Sequence, residues 1–431
     1  MNPAPAAAAT VLCGATPVSA ARPVRASWSM RVAAVLVPLI AKLYARRPGV
    51  PAADASDSRP KRILILRRNR MGDMLCAYPL IRAIRLAYPE AVIHIACDKA
   101  ALAVAQACPH ADGAILLRPG WHRWHMALRN AGDLQGYDVA VAVKGGFDLV
   151  LASLLRLTNA PMRIGFRPKD SERSGSDVAI SSEISAFYTH ILPPPPWGEH
   201  QMETCLRLAG PLLAAPTKSR HITDIGSDIH AAIRDGALRI SPDIRRWADD
   251  ALTRIVPGFS HAAGPSRFAL INISSTTPLK WKDAYFQEFV RRLVHDLSLP
   301  AAFVFAPADQ PRAEVMVRAL AIPGVTSLAT PTPLHLAAVL QHAAFLFSPE
   351  GGAGHLASFT GTPLLLLWSE GPYEKWHPRA EKLHVFRADL AHPQLITIDE
   401  VMDAIKEKHF CGEAASPDSG AESQQTQEIR P

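Results

Sequence analysis

The chain has 431 residues, 48% of them apolar and 20% charged, the length and balance of a globular protein with two domains rather than one. A formal charge of +7 favours anionic partners such as nucleotides, phosphorylated sugars or an acidic membrane surface. No nucleic-acid-binding signature accompanies the scattered basic residues, and the six cysteines lack C-x-x-C or metal-ligand spacing, so neither nucleic acid nor a metal site is expected.

Residues 1–60 read as an extension rather than a domain. Its apolar stretch, Val32 to Ala41, is bracketed by Arg31 and Lys42 and interrupted by Pro38. Ten residues fall short of the ~20 needed to span a hydrocarbon core. Three readings of Met30 to Arg47 stay open: an interfacial helix on anionic lipid, a helix packed on its own domain, or a signal peptide. From Lys61 the pattern becomes α/β. A strand at Ile63 to Leu66, a turn, and helical spacing through Leu75, Ile81, Ile84 and Leu86 lead to strands at Val92 to Ala96 and Val139 to Val143. Helical spacing follows at Leu149 to Leu157. Pro193 to Pro196 mark a stiff exposed loop before a helix within His200 to Leu213.

After a less regular region at about 214–241, a second alternating series runs through strand Phe268 to Ile273, helix Ala284 to Leu297, and strands Ala302 to Phe305 and Val325 to Leu328. Helix Leu334 to His342 and strands Ala344 to Phe347 and Leu364 to Trp368 complete it. This predicts domains over 61–235 and 236–410. Residues 411–431, rich in Glu, Gln, Ser and Ala, are expected to be disordered.

Four segments carry chemistry. Arg67-Arg68-Asn69-Arg70-Met71-Gly72-Asp73 lies between a first strand and helix, at the mouth of the ligand crevice of such a fold. Its single glycine does not fit the G-x-G-x-x-G of a dinucleotide cofactor. Asp73 suits two roles that can coexist, an N-cap and a general base for an attacking hydroxyl. Arg67 and Arg70 fit a phosphorylated acceptor or a solvated face. Ser348-Pro349-Glu350-Gly351-Gly352-Ala353-Gly354-His355 again joins a strand to a helix, and its glycines would expose backbone N–H groups to a diphosphate. The alternatives are a tight packing turn and a core histidine. Asn272 to Lys282 offers Ser274, Ser275 and Lys280 to phosphate oxygens, or is a polar surface loop. Trp368 to Pro378 offers aromatic planes for a base or sugar, or is structural.

Together these segments resemble glycosyltransferase family 9, the ADP-heptose:lipopolysaccharide heptosyltransferases, from about Lys61 to Lys408. Gly72, Asp73 and Pro79 are similar to its opening Gly-Asp pair and following helix, and Pro349 to Ala357 to its late glycine-rich motif. Tyr373, Trp376 and Pro378 resemble its closing pattern, and His200, Glu203 and Leu206 its helix ending the first domain. Glu350 stands where the family usually has aspartate, and Lys280 directly precedes Trp281 where the family's lysine stands two residues before its tryptophan.

The resemblance implies a GT-B type fold, two Rossmann-like doubly wound domains facing a central cleft. It implies Asp73 as catalytic base, donor binding by Ser274, Ser275, Lys280, Glu350, Gly351, Gly352 and His355, and acceptor binding by Arg67 and Arg70. The implied reaction is metal-independent, inverting transfer of a sugar, heptose by family precedent, from a nucleotide diphosphate donor such as ADP-heptose to a lipid-linked or phosphorylated glycan of the lipopolysaccharide-core kind. No separate cofactor is expected. The expected place is the cytoplasm, with peripheral contact at the inner face of the cytoplasmic membrane. The rival readings are a nucleotide-sugar epimerase or hydrolase of the same architecture and a non-catalytic glycan-binding relative.

Overall fold

The computed structural model describes residue 32 and residues 35–40, 59–68, 70–120, 123–167, 186–213, 229–234, 237–256, 259, 268–275, 281–368, 372–387, 396–408 and 410. The expected tail from residue 411 and the predicted donor residue Lys280 lie outside them.

The first half runs β1 (Arg62–Leu66), α1 (Met71–Leu75), α2 (Tyr78–Ala87), β2 (Val92–Cys97), α3 (Lys99–Gln106), β3 (Gly113–Leu116), α4 (Arg123–Ala131), β4 (Val139–Ala142), α5 (Leu149–Leu157), β5 (Met162–Phe166), β6 (His190–Leu192), α6 (Gln201–Arg207) and α7 (Gly210–Leu213). Helices α8 (Ile229–Arg234) and α9 (Pro242–Ile255) lead into the second. There follow β7 (Ala269–Asn272), α10 (Asp283–Leu297), β8 (Ala301–Val304), α11 (Gln310–Leu320), β9 (Val325–Leu328), α12 (Pro333–Leu340), β10 (Phe345–Pro349), α13 (Gly352–Thr360), β11 (Leu364–Trp368), α14 (Tyr373–Trp376), β12 (Leu383–Arg387) and α15 (Ile398–Glu407).

Each half holds a six-stranded sheet, ordered β3-β2-β1-β4-β5-β6 and β12-β11-β10-β7-β8-β9. All their pairings are parallel. Read from the strand that opens each half, the two orders are the same doubly wound order, and each reverses between its first and fourth strands. In such sheets ligands bind beyond the carboxyl ends of the strands at that reversal. The central strands are largely apolar because helices cover both faces. Ile63, Leu64, Ile65 and Leu66 of β1 are wholly buried, as are Phe345, Leu346 and Phe347 of β10.

The single helical period expected after β1 is two helices. Pro79 explains the break, since it has no N–H to donate and fits only a first helical turn, so the helix restarts at Tyr78. Strands β3, β5, β6 and β12 escape the sequence pattern, being short or interrupted by His, Arg or Gly, as in HIL, LHVFR and MRIGF. The proline loop departs from expectation too: Pro194 and Pro195 are buried and only Pro193 and Pro196 are exposed. The irregular connection contains α8, packed on α2 of the first half, and runs into α9, packed on α12 of the second.

One apolar core runs through both halves, joining Ile63 and Ile65 to Leu346 and Leu356. A second fills the outer face of the second sheet around Trp281, Phe289 and Phe347. A third, on the other face of the first sheet, takes in Leu64, Leu66 and, from the N-terminal extension, Val37. Residues 35–40 are helical, and among the described residues no helix is long and apolar enough to cross a membrane.

Candidate active site

A cleft of about 1330 Å³ lies between the halves, walled by the loops that follow β1, β4, β7 and β10. These are the strands on either side of each sheet's reversal. Arg67, Arg70, Gly72, Asp73, Ser274, Ser275, Glu350, Gly351, Gly352 and His355 all border it.

Arg67 turns inward from the end of β1. It is 2% exposed, and Nη2 donates to Asp73 Oδ1 at 2.8 Å, Nε to the Asp73 carbonyl at 3.0 Å and Nη1 to the Val143 carbonyl at 2.6 Å. The solvated-face reading therefore fails for Arg67, and its donors are committed to the loops that carry Asp73 and Lys144. Arg70 is exposed at the cleft rim. Asp73 is the third residue of α1 rather than its N-cap, which is Arg70. Its Oδ2 accepts the Arg70 backbone N–H at 3.4 Å, a capping-box contact. The carboxylate is thus held from one side, and its side chain keeps 18% exposure toward the cleft.

Opposite stands the glycine-rich turn. Gly351 has φ +155, in the region that favours glycine. Gly352 opens α13, which no side chain caps, so its first-turn N–H groups form an electropositive end. α13 packs on α1 across the interface. The approach is close enough that a Cβ on Gly72 would lie 2.9 Å from His355 Cδ2, and one on Gly352 2.6 Å from Met71 Cε. Glycine at position 72 lets the two loops meet against the His355 ring, whereas at position 352 the neighbour is the flexible tip of Met71.

The same approach buries His355 to 7% exposure. Burial pushes its pKa down to about 4, with Asp73 the main influence opposing that shift and a hydrogen bond to the Trp376 backbone helping to hold the ring. His200, the N-cap of α6, crosses the interface as well. Its Nδ1 accepts the Met202 N–H at 3.3 Å, which leaves Nε2 to donate to the His377 carbonyl at 2.9 Å. Burial takes His200 to about 3. Arg379 and Glu203 add an interdomain ion pair at 2.9 Å. Both histidines are therefore neutral in the folded protein, whereas an exposed histidine in the unfolded chain protonates near about 6.5. Stability from this pair is complete above about pH 6.5 and is lost as pH falls toward about 4, because the unfolded chain then binds protons that the folded chain refuses. Denaturant titrations at pH 7.5, 6 and 5 should show a loss on the order of a few kcal/mol, and His200→Gln should flatten the slope.

The loop after β7 is tied to its neighbours. Ser274 Oγ donates to Asp309 at 2.5 Å and accepts the Ala306 N–H at 2.7 Å, so its hydroxyl links the β7 and β8 loops. Ser275 Oγ donates to the Glu350 carbonyl at 3.4 Å, joining that loop to the glycine turn. Trp281, next after Lys280, is a core residue packed edge-on against Phe286 and Phe289. The aromatic-platform reading of Trp368 to Pro378 does not hold for Tyr373. His377 stacks on it at 4.5 Å and the Arg387 guanidinium lies 4.0 Å from its centroid, so its faces are taken. Trp376 and Pro378 do line the cleft.

Several wall residues went unread in the sequence: Asp98, Lys144, Gln201, Asp309, Thr330 and Lys375. Asp98, Lys144, Asp309 and Thr330 stand just beyond the carboxyl ends of β2, β4, β8 and β9. That position is the signal that could have found them.

The model of glycosyltransferase family 9 (heptosyltransferase) matches residues 126–404. No curated protein sequence matches. Among solved structures, a glycosyl transferase family 9 protein from Veillonella parvula superposes with TM-score 0.64 at 15% identity, over 80% of this chain and 96% of that one. E. coli ADP-heptose lps heptosyltransferase II gives 0.60 at 15% identity, over 81% and 98%. E. coli heptosyltransferase WaaC with ADP gives 0.57 at 17%, over 80% and 99%. These structures share the two-sheet fold. The family match spans more than half of the chain and includes the β4, β7 and β10 loops of the cleft, so the chain belongs to glycosyltransferase family 9.

Proposed function

We propose that this glycosyltransferase moves a sugar, heptose by family precedent, from a nucleoside diphosphate donor to a hydroxyl of a lipid-linked or phosphorylated glycan of the lipopolysaccharide-core kind. The observation that carries this reading is the opposition of Asp73, held by Arg67, to the uncapped start of α13 across one cleft.

The chemistry follows from that opposition. Asp73 takes the proton of the acceptor hydroxyl, whose oxygen attacks the anomeric carbon as the bond from that carbon to the diphosphate oxygen breaks. The leaving diphosphate keeps the electron pair, and the sugar inverts. Charge growing on that oxygen is met by the N–H groups of Gly352 and Ala353 and by the dipole of α13. Lys280 is assigned to the same diphosphate from its place in the sequence. The nucleoside extends toward Thr330 and Leu336, where the β8 and β9 loops wall the cleft. Ser274 is held by Asp309, whereas the Ser275 hydroxyl is bonded to the Glu350 carbonyl beside the glycine turn. Arg70 and Lys144 line the first-half wall and suit an anionic acceptor. Arg67 is reassigned from acceptor contact to holding the base. The scheme needs the nucleotide sugar as co-substrate and neither metal nor further cofactor, and it places the protein in the cytoplasm.

Thermal unfolding with a panel of nucleoside diphosphates and their sugars, ADP forms first, tests the reading. A matched diphosphate at a hundredfold excess over its Kd should stabilise the protein by about 2.7 kcal/mol. Failure of every nucleotide to shift the transition would remove the donor site and favour a glycan-binding relative without turnover.

A further inference from the structure

We propose that the helical segment over residues 35–40 is a docking surface for an anionic lipid bilayer. The segment is fixed to the protein on one side and left apolar on the other. Val37 is 1% exposed within the core cluster that holds Leu64, Leu66 and Tyr188, and Ile40 packs against that cluster. Val35, Leu36 and Leu39 are 63%, 47% and 53% exposed. Single exposed aliphatic residues are ordinary, but three within five helical residues form a contiguous patch. Nothing in a monomer's folding rewards keeping these side chains in water, whereas insertion into the acyl boundary of a membrane would bury them.

Charge selects the occupant. Residues 1–53 contain Arg22, Arg25, Arg31, Lys42, Arg46 and Arg47 and no Asp or Glu, so this stretch supplies six of the chain's seven excess positive charges. An unbroken positive sign in the sequence flanking this apolar face matches the surface potential of a leaflet rich in acidic lipid. Trp28 and Tyr44 bracket the segment in sequence, the two residue types enriched at the headgroup level. The apolar run is too short to cross a bilayer, so the segment lies on the surface. It lies outside the residues of the family match and borders no part of the cleft. The inference therefore stands independently of the donor and acceptor assignment, and locates membrane contact on the first half.

Flotation of the full-length chain with phosphatidylcholine vesicles, with and without phosphatidylglycerol, tests it. The protein should float with the mixed vesicles, less so with phosphatidylcholine alone, and lose binding as salt rises. Leu36→Asp with Leu39→Asp should weaken partitioning by at least about a hundredfold, since two buried leucine side chains are lost. These residues are exposed, so the melting temperature and any nucleotide-induced shift should stay unchanged. Arg46→Glu with Arg47→Glu keeps the apolar face and should abolish the preference for phosphatidylglycerol. Absence of flotation, or equal flotation by the leucine variant, overturns the proposal. So does concentration-dependent self-association that the leucine variant abolishes in the absence of vesicle binding, which would make the patch an interface between copies of this chain.

Discussion

Replacing Asp73 by asparagine is expected to lower kcat by about 10² to 10⁴-fold, the usual contribution of a positioned general base. The substitution keeps the shape of the side chain and leaves an amide oxygen to accept from Arg67 Nη2 at the same site. It removes the capacity to accept a proton from the acceptor. Nucleotide-induced stabilisation should be the same in Asp73→Asn and wild type, because the proposed donor contacts lie across the cleft on the β7 and β10 loops. Transfer assays at saturating donor, paired with melting curves, separate the two effects. Full turnover in the variant would remove Asp73 from the chemistry and leave it as a capping-box residue of α1.

The second large effect is expected at Arg67. Its guanidinium joins the β1 and β4 loops by donating to the Asp73 carboxylate and to the carbonyls of Asp73 and Val143. Arg67→Met fills the volume but leaves the Val143 carbonyl without that donor and the carboxylate without its cation. Removing one partner of a pair this buried should cost about 2 to 4 kcal/mol, with the partial exposure of Asp73 keeping the cost below that of a fully enclosed pair. A positioning role predicts more than instability. With Asp73 released, kcat should fall by about 10 to 100-fold at temperatures where the variant is folded, while KM for the donor changes little. Arg67→Lys should recover stability better than rate, because a single ammonium cannot span the three acceptors that the planar guanidinium reaches. A variant with lowered stability and wild-type kcat would make Arg67 structural only.

The parts of the cleft legible in the sequence are those where the backbone restricts residue type. Gly351 needs a conformation that other residues adopt under strain, and a Cβ at Gly72 would press on the buried His355 ring. Such glycines stand out because they follow short apolar strands, and Asp73 stands out because it follows Gly72. The residues whose alternatives stay open in the sequence owe their roles to neighbours far away in the chain. Arg67 reads as an acceptor contact or a solvated face because nothing local announces the Val143 carbonyl 76 residues later. Between a platform and a structural role, Tyr373 stays undecided in the sequence because Arg387, which covers it, belongs to β12, a strand the pattern does not show. His200 gains its contact from His377, 177 residues on.

The sequence by itself determined the alternation of buried strands and helices, the two doubly wound halves and the loops able to receive a charged ligand. These rest on periodicity and on backbone limits that act over a few residues. Tertiary structure decided which side chains face the cleft and which are consumed in holding it: Arg67 turned in toward Asp73, Ser274 tied to Asp309, and His355 and His200 kept neutral between the halves. It also decided that Val37 is a core residue while Leu36 and Leu39 face outward. Each outcome depends on which distant strand end or helix arrives beside the residue, and on whether that arrival excludes water, and neither is set by the residues next to it in the chain.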